Sequence, residues 1–240
     1  MAISLNQLVR AAHPKPPIVT VYGVHGIGKT TFAAQAPSPV FVQTEDGLGT
    51  LACPHFPLAG TFEDVIGALA ALYTEPHDFK TCVIDSVDWL EALIWAKACR
   101  DNGWASIEDA GYGKGYVAAL NLWRQYIDGL NALRDDKGMT VIQIAHTDIK
   151  RFDSPEHDPY DRYTIKLHAR AAALVQEHSV LVLFAIYRLS TVKADVGSQP
   201  AVQAMIDSIT REAGAIDIVV NNAFKPYAFD PERRSRFDEL

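Results

Sequence analysis

A glycine-rich loop directly after an apolar run constrains the fold of this chain more than any other feature. Residues 23–30 read Gly-Val-His-Gly-Ile-Gly-Lys-Thr, which satisfies GxxxxGK[ST], and the apolar run 18–22 precedes them. In such a strand, loop and helix start, backbone N–H groups converge on phosphate oxygens. The pattern predicts a nucleotide-binding loop, and the competing interpretation is a glycine turn with a surface lysine.

The motif assigns roles to particular residues. Lys29 brings a positive charge to the β- and γ-phosphates, and the Thr30 hydroxyl can ligate Mg²⁺. Asp85 ends the apolar run 82–84, where P-loop proteins place a carboxylate that holds Mg²⁺; a turn or cap acid is the alternative. The expected ligands are therefore ATP and Mg²⁺, with Thr30 and Asp85 at the metal. The expected nucleotide-binding residues are Gly23, Val24, His25, Gly26, Ile27, Gly28, Lys29, Thr30 and Thr31.

Composition narrows the class of protein. The chain has 240 residues, 48% hydrophobic and 21% charged, which suits one α/β domain or one domain with an appendage. A net charge of −7 argues against a protein that coats duplex nucleic acid. The scattered cysteines lack zinc-site spacing, and the longest apolar stretch, 180–187, is too short to span a bilayer. We expect a cytoplasmic protein without a membrane partner.

Apolar strands alternate with helical patterns along the chain. Strands are predicted at 18–22, 40–42, 80–84, 139–145 and 180–187, with helices after residues 30, 61, 86, 116 and 167. Thr61 and Asp64 have the spacing of a capping box, and Val117 is expected on the apolar stripe of the helix after residue 116. This order predicts an α/β fold with a mostly parallel five-stranded sheet, covered by helices on both faces. Segment 180–187 is predicted to be buried, and the polar segment 147–163 to be a functional loop.

Parallel sheets bind ligands at the carboxyl ends of their strands, where three further candidates lie. Glu45 could polarise the water that attacks the γ-phosphate, although its surroundings also resemble a plain turn. His146 could report the presence of the γ-phosphate, or be a structural histidine. Asp88 could act like Glu45, or only complement its helix dipole.

Basic and aromatic residues suggest a partner. Arg162, Lys166 and Arg170 are spaced four apart, so on a helix they would share one face. They could meet nucleic-acid phosphates or the nucleotide of a neighbouring subunit, with Arg162 as the candidate catalytic arginine, or form a solvated face. The segment 112–116 interleaves two tyrosines with glycines and a lysine, as in loops that stack single-stranded bases.

Taken together, residues 18–188 resemble the phage-encoded, RecA-like AAA-type ATPases found beside phage recombination genes. The resemblance implies a RecA-type core whose strand ending at Ala145 lies between the P-loop strand and the Asp85 strand. It also implies ATP hydrolysis, Glu45 as catalytic acid, His146 as sensor and a role in single-stranded DNA annealing or recombination. A ring or filament of identical subunits in the bacterial host cytoplasm would fit this family. The resemblance rests on residues 23–31, 41–48, 83–86, 112–115, 142–146 and 160–168.

The carboxyl-terminal part departs from that pattern. Residues 189–224 are similar to the middle of a short-chain dehydrogenase, but neither the TGxxxGxG loop nor the Tyr-x-x-x-Lys pair is present. We therefore predict a P-loop ATPase domain over 1–188 and an appendage over 189–240 without a complete site. Two alternatives stay open: a P-loop kinase of small molecules, and an NAD-binding oxidoreductase suggested by the appendage.

Overall fold

A computed structural model describes residues 15–187 and 198–213, which fall in two units. The first unit alternates strands and helices, and the second contributes one described helix, α6 (Gln199–Ala213). The strands of the first unit are β1 (Ile18–Gly23), β2 (Pro39–Gln43), β3 (Thr81–Asp85), β4 (Thr140–Phe152), β5 (Tyr160–Ile165) and β6 (Leu181–Ala185). Its helices are α1 (Lys29–Ala34), α2 (Phe62–Thr74), α3 (Val87–Asn102), α4 (Lys114–Lys137) and α5 (Ala169–His178).

The sheet has the order β2-β3-β4-β1-β6, and all neighbours along this path are parallel. The predicted α/β fold is confirmed, with β5 as a sixth strand that pairs antiparallel with the end of β4. β4 lies between β1 and β3, as the RecA-type resemblance implies. Its register sets Gly23 opposite His146 and Asp85 opposite Ile144, so the loops that follow these strands meet at one edge.

Helices cover both faces of the sheet, but unequally. Alternate residues of β1 point to opposite faces, so Ile18 joins a large apolar cluster with residues of α2 to α5, and Val19 joins a smaller cluster with Ala33 of α1. The predicted capping box of α2 is confirmed. The Thr61 hydroxyl accepts from the backbone N–H of Asp64 at 3.2 Å, and the Asp64 carboxylate accepts from that of Thr61 at 2.8 Å.

The prediction of a loop over 147–163 was wrong. β4 continues to Phe152 and β5 begins at Tyr160, which makes a β4–β5 hairpin whose connection contains Pro155 and Pro159. An antiparallel pair can expose residues on both sides, so the polar composition of the segment did not exclude strands. The hairpin places charged and aromatic side chains in solvent, next to the end of the parallel sheet.

The predicted strand within 180–187 is confirmed as β6, but the prediction that it is buried was wrong. β6 is the edge strand beside β1, and Leu181 is 48% exposed. Its Phe184 ring stacks on Tyr22 at 5.0 Å. An apolar run indicates a strand in a parallel sheet, but the place of that strand in the sheet depends on the whole topology.

Two further predictions concern the buried stripe of α4 and the dehydrogenase-like segment. In α4 the buried stripe includes Ala119, Trp123 and Tyr126, whereas Val117 is exposed. Of the dehydrogenase-like segment, 201–206 falls within α6, whereas 189–197 and 214–224 lie outside the described residues, as does the end at 231–240. Over the described residues, no helix is long and apolar enough to cross a membrane.

Candidate nucleotide-binding site

The loop between β1 and α1 has the backbone that a phosphate cradle needs. Gly26 and Gly28 have φ angles of 75° and 93°, a left-handed conformation that favours glycine. Gly23 has a different constraint, because a Cβ atom there would lie 2.8 Å from the carbonyl oxygen of Ala185 on β6. The glycines of the motif therefore serve both loop geometry and strand packing.

Lys29 is buried inside this loop, with 7% of its surface exposed. Its Nζ donates to the carbonyl oxygens of Gly23 and Val24, each at 3.0 Å. Burial lowers the pKa of the Lys29 ammonium, against the opposing attraction of nearby carboxylates, of which Asp85 acts most strongly. Within the described part of the chain, Lys29 forms no ion pair. A buried ammonium among backbone carbonyls thus fits a nucleotide phosphate as its anionic partner.

Thr30 and Asp85 contact each other across the loop. The Thr30 hydroxyl donates to Asp85 Oδ2 at 2.8 Å. Burial raises the pKa of the Asp85 carboxyl, repulsion from Glu45 adds to this, and the Thr30 hydrogen bond opposes it. A hydroxyl beside a buried carboxylate that faces another acid fits a hard divalent cation such as Mg²⁺, which commonly takes its remaining ligands from phosphates and water. Over the described residues, no three His, Cys, Asp or Glu side chains form a metal-binding group.

Glu45 lies in a turn that is tied to the end of β3. The backbone N–H groups of Thr44 and Glu45 donate to the carbonyl oxygen of Asp85 at 2.8 and 3.4 Å. Glu45 Oε1 is 3.8 Å from Nδ1 of His146. The structure therefore brings Glu45, Asp85 and His146 together beside Lys29, because they follow β2, end β3 and end the part of β4 that pairs with β1.

His146 is held by Asp88, the first-turn acid of α3. The Asp88 carboxylate accepts from the backbone N–H of His146 at 3.0 Å and lies 3.0 Å from its Nδ1 atom. The hydrogen bond to Asp88 raises the pKa of His146 against the effect of burial. Burial alone would raise the pKa of Asp88, but its hydrogen bonds from His146 hold it below the usual value. Among the described residues Nε2 of His146 has no hydrogen-bond partner, so this ring atom remains for a ligand.

Sequence reasoning left this role of Asp88 open. The signal was present, because Asp88 follows Asp85 by three residues and starts a helix at the same edge of the sheet. Only the structure shows that its carboxylate turns toward His146. His25, one of the expected nucleotide-binding residues, places its ring 5.9 Å from that of His146.

Arg162 is not part of this cluster, and the three cations Arg162, Lys166 and Arg170 do not share one helix. Arg162 lies on β5, whereas Arg170 lies in α5. In the hairpin Arg162 pairs with Lys150, and its guanidinium lies over the Phe152 ring at 3.9 Å. At about 3.4 Å per residue, Lys150 is roughly 13 Å beyond His146 along β4. Arg162 is therefore exposed on the hairpin, away from Lys29.

The aromatic segment 112–116 is only partly free. Tyr112 is fully exposed, but Tyr116 lies in α4 and its ring stacks on His168 at 4.1 Å. The Tyr116 hydroxyl also donates to Glu108. Tyr116 is thus held within the protein, and Tyr112 alone retains the open position expected of a stacking residue.

A comparison with protein families agrees with this geometry. A family model described as AAA domain matches residues 15–212, which includes the P-loop, the whole sheet and most of α6. The match passes the predicted boundary at 188, and this family match gives no support to the likeness of the later segment to a dehydrogenase. No curated protein matches the chain. From its P-loop, its parallel sheet and this match, the chain belongs to the AAA domain family, a family of P-loop nucleotide-binding proteins.

Proposed function

We propose that the chain is a Mg²⁺-dependent ATPase whose turnover is coupled to single-stranded DNA. The observation that carries this proposal is the convergence of Glu45, Asp85 and His146 beside the buried ammonium of Lys29. A nucleotide-binding loop alone would suit many functions. A carboxylate and an imidazole placed next to it supply what hydrolysis needs.

Lys29, Thr30 and Asp85 bind and orient the triphosphate. In the described residues, the Lys29 ammonium donates its hydrogen bonds to two carbonyl oxygens of the loop. When a nucleotide binds, the ammonium can donate to phosphate oxygens instead. Thr30 and Asp85 would hold Mg²⁺, which neutralises charge on the β- and γ-phosphates when bound. The glycines leave the backbone N–H groups accessible to the same oxygens.

Glu45 and His146 act on the terminal phosphate. We assign Glu45 to polarise the attacking water, since its carboxylate lies at the open edge of the sheet near His146. His146 would use Nε2 as the γ-phosphate sensor, because Asp88 holds its other ring nitrogen. Asp88 is then a positioning residue that fixes the orientation of the imidazole.

The hairpin supports DNA as the partner. On one of its faces lie Lys150 and Arg162, opposite each other in register, with the ring of Phe152 under the guanidinium. Cations beside aromatic rings suit a single strand, whose phosphates and bases both need partners. β4 runs without interruption from His146 into this hairpin, which gives a direct mechanical route between partner and sensor.

The proposal also covers the assembly of the protein and its biological role. We propose a homo-oligomer, in which Arg162 reaches the nucleotide of a neighbouring copy, since it stands away from its own P-loop. A role in phage recombination or annealing in the bacterial cytoplasm follows from the family resemblance given above. The oligomer can be a ring or a filament.

ATP hydrolysis measured with and without single-stranded DNA tests the proposal. We expect Mg²⁺-dependent hydrolysis that rises with the DNA and is lost in Lys29→Ala. Lys80→Ala is the matched control, because Lys80 is exposed just before β3, at the other end of that strand. Hydrolysis that is equal in Lys29→Ala and wild type would contradict the site. Phosphate transfer to a small-molecule acceptor without DNA stimulation would instead favour the kinase alternative.

A further inference from the structure

A cavity next to the nucleotide-binding cluster has no role in the function proposed above. Residues of α3, Asp148 of β4 and the segment 166–168 line an open cavity of ≈ 410 Å³. This volume lies within the range of small-ligand sites. Asp88, the residue that holds His146, is part of its wall.

Aromatic side chains form much of this wall. Trp89 is 52% exposed and has no ring contact within the described residues. Trp95 is held more firmly, because its ring packs edge-on against Tyr116 at 5.4 Å, and Tyr116 stacks on His168. A fixed aromatic wall with a large exposed indole beside it suits a planar ligand.

The carboxylates of the cavity already have partners. Asp88 pairs with His146, and Asp148 lies 3.9 Å from the Nζ atom of Lys150. Both oxygens of the buried Glu91 carboxylate accept from the backbone N–H of His168, at 3.1 and 3.0 Å. These contacts reduce the attraction of the cavity for an organic cation.

Lys166 adds a positive charge to the cavity. It is exposed, it lines the cavity, and among the residues that the structure describes it forms no ion pair. The cavity therefore offers aromatic surface for a base and an available cation for a phosphate. A nucleotide unit has both groups.

A strand fits the surroundings better than a free nucleotide. Lys150 is tied to the rim of the cavity, since its Nζ donates to the carbonyl oxygen of Leu167 at 3.5 Å. Lys150 thereby adds a second cation to Lys166, beyond Asp148 and toward the hairpin. Successive phosphates of one strand would meet successive cations.

We propose that this cavity binds one nucleotide unit of a single-stranded nucleic acid, with the base against Trp89 and the phosphate at Lys166. The inference rests on the proposed nucleic-acid partner, and adds the place where a base is held. An occupant would contact Asp88, which also positions His146. Strand binding would thereby act directly on the proposed phosphate sensor.

Fluorescence anisotropy with a labelled deoxythymidine oligonucleotide and an abasic oligonucleotide of equal length tests this assignment. Wild type should bind the base-bearing strand more tightly than the abasic one. Trp89→Ala should weaken binding of the base-bearing strand about 5- to 150-fold, the effect of losing one stacked base, and should leave the abasic strand unaffected. Trp89→Phe should restore most of the difference. Tyr73→Ala, which removes an exposed aromatic ring on α2, should behave as wild type.

Lys166→Ala provides an independent readout. It should weaken both oligonucleotides alike and reduce the slope of log affinity against log salt by about one. The cavity assignment is overturned if Trp89→Ala keeps the full preference for bases while DNA still stimulates hydrolysis. If wild type binds neither oligonucleotide, the proposed partner itself fails. Displacement of the oligonucleotide by equimolar thymidine monophosphate would indicate a site for free nucleotides and contradict the proposed binding of a nucleic-acid strand.

Discussion

His146 and Asp88 are directly coupled at the edge of the sheet where we place hydrolysis. The ring and the backbone N–H of His146 each form a hydrogen bond with the Asp88 carboxylate. These contacts raise the pKa of His146 and lower the pKa of Asp88, which favours the charged form of both side chains. The positions of Glu45, Asp85 and His146 at one edge of the parallel sheet were predictable from sequence, because each follows an apolar run, although β4 itself continues to Phe152. The direction of the Asp88 side chain was not predictable, because an acid that only begins a helix and an acid that contacts the sensor look the same in the sequence.

Asp88→Asn should lower the pKa of His146, because the hydrogen bond to the Asp88 carboxylate is the largest influence that raises it. An NMR pH titration of the His146 ring measures this, with Asp46→Asn as the control for an exposed acid in the turn beside Glu45. An unchanged pKa of His146 in Asp88→Asn would contradict the coupling.

The same pair gives stability a defined pH dependence. The raised pKa of His146 adds free energy of unfolding that is fully present below about 6.5, the pKa in the unfolded chain, and is lost as pH rises through the folded value. The lowered pKa of Asp88 adds stability that is present above about 3.8 and is lost as pH falls through the folded value. The excess stability of wild type over Asp88→Asn should therefore be greatest between about pH 4 and 6.5. Chemical denaturation across pH measures it, and an excess that grows steadily toward pH 9 would contradict the assignment.

Among the secondary-structure elements, local signals were reliable and long-range placement was not. The capping box at Thr61 is a contact over three residues, so sequence alone predicted it correctly. The exposure of β6 depends on its place at the edge of the sheet, and the hairpin depends on pairing between β4 and β5. Neither is encoded in a local pattern. The P-loop is subject to both a local and a long-range constraint. Gly26 and Gly28 have positive φ angles, which favour glycine, and Gly23 lies so close to β6 that a larger residue would meet it.

Gly23→Ala should destabilise the protein by about 1–3 kcal/mol, as expected for overpacking, because the added Cβ atom would meet the backbone of Ala185 at 2.8 Å. Gly67→Ala in α2 is the matched control. No atom lies within 4 Å of a Cβ atom added there, so it should stabilise the helix by about 0.5–1 kcal/mol. Urea denaturation gives both values, and a neutral Gly23→Ala would show that β6 does not constrain the loop.

At the scale of the whole molecule, the role proposed for Arg162 requires a second copy of the chain. Arg162 stands on the hairpin, remote from its own Lys29, so its proposed role is completed only in an assembly. The resemblance of residues 18–188 suggested this arrangement, and the family match extends over the sheet and hairpin that it needs. The oligomeric contact itself depends on surfaces of two chains, and no motif in one chain specifies it.

A mixing experiment tests the role of Arg162 in trans. Arg162→Ala should reduce the rate of hydrolysis by about 10³- to 10⁵-fold, the typical contribution of a trans arginine, and Lys29→Ala should also be inactive. Mixing the two variants should restore activity, because one supplies the arginine and the other the intact loop. A mixture that stays as inactive as its components, although the variants co-assemble in analytical ultracentrifugation, would contradict the trans assignment. Arg124→Ala, which removes an exposed arginine on α4, should retain activity alone.

The most direct test of the central claim compares ATP binding and ATP hydrolysis in Glu45→Gln. The substitution keeps the size of the side chain and removes the carboxylate proposed to polarise water. We predict that Glu45→Gln binds ATP as wild type does and hydrolyses it about 10²- to 10⁴-fold more slowly. Glu75→Gln, at the exposed end of α2, should match wild type in both measurements. Hydrolysis by Glu45→Gln at the wild-type rate would contradict the claim that these strand ends form a hydrolytic site.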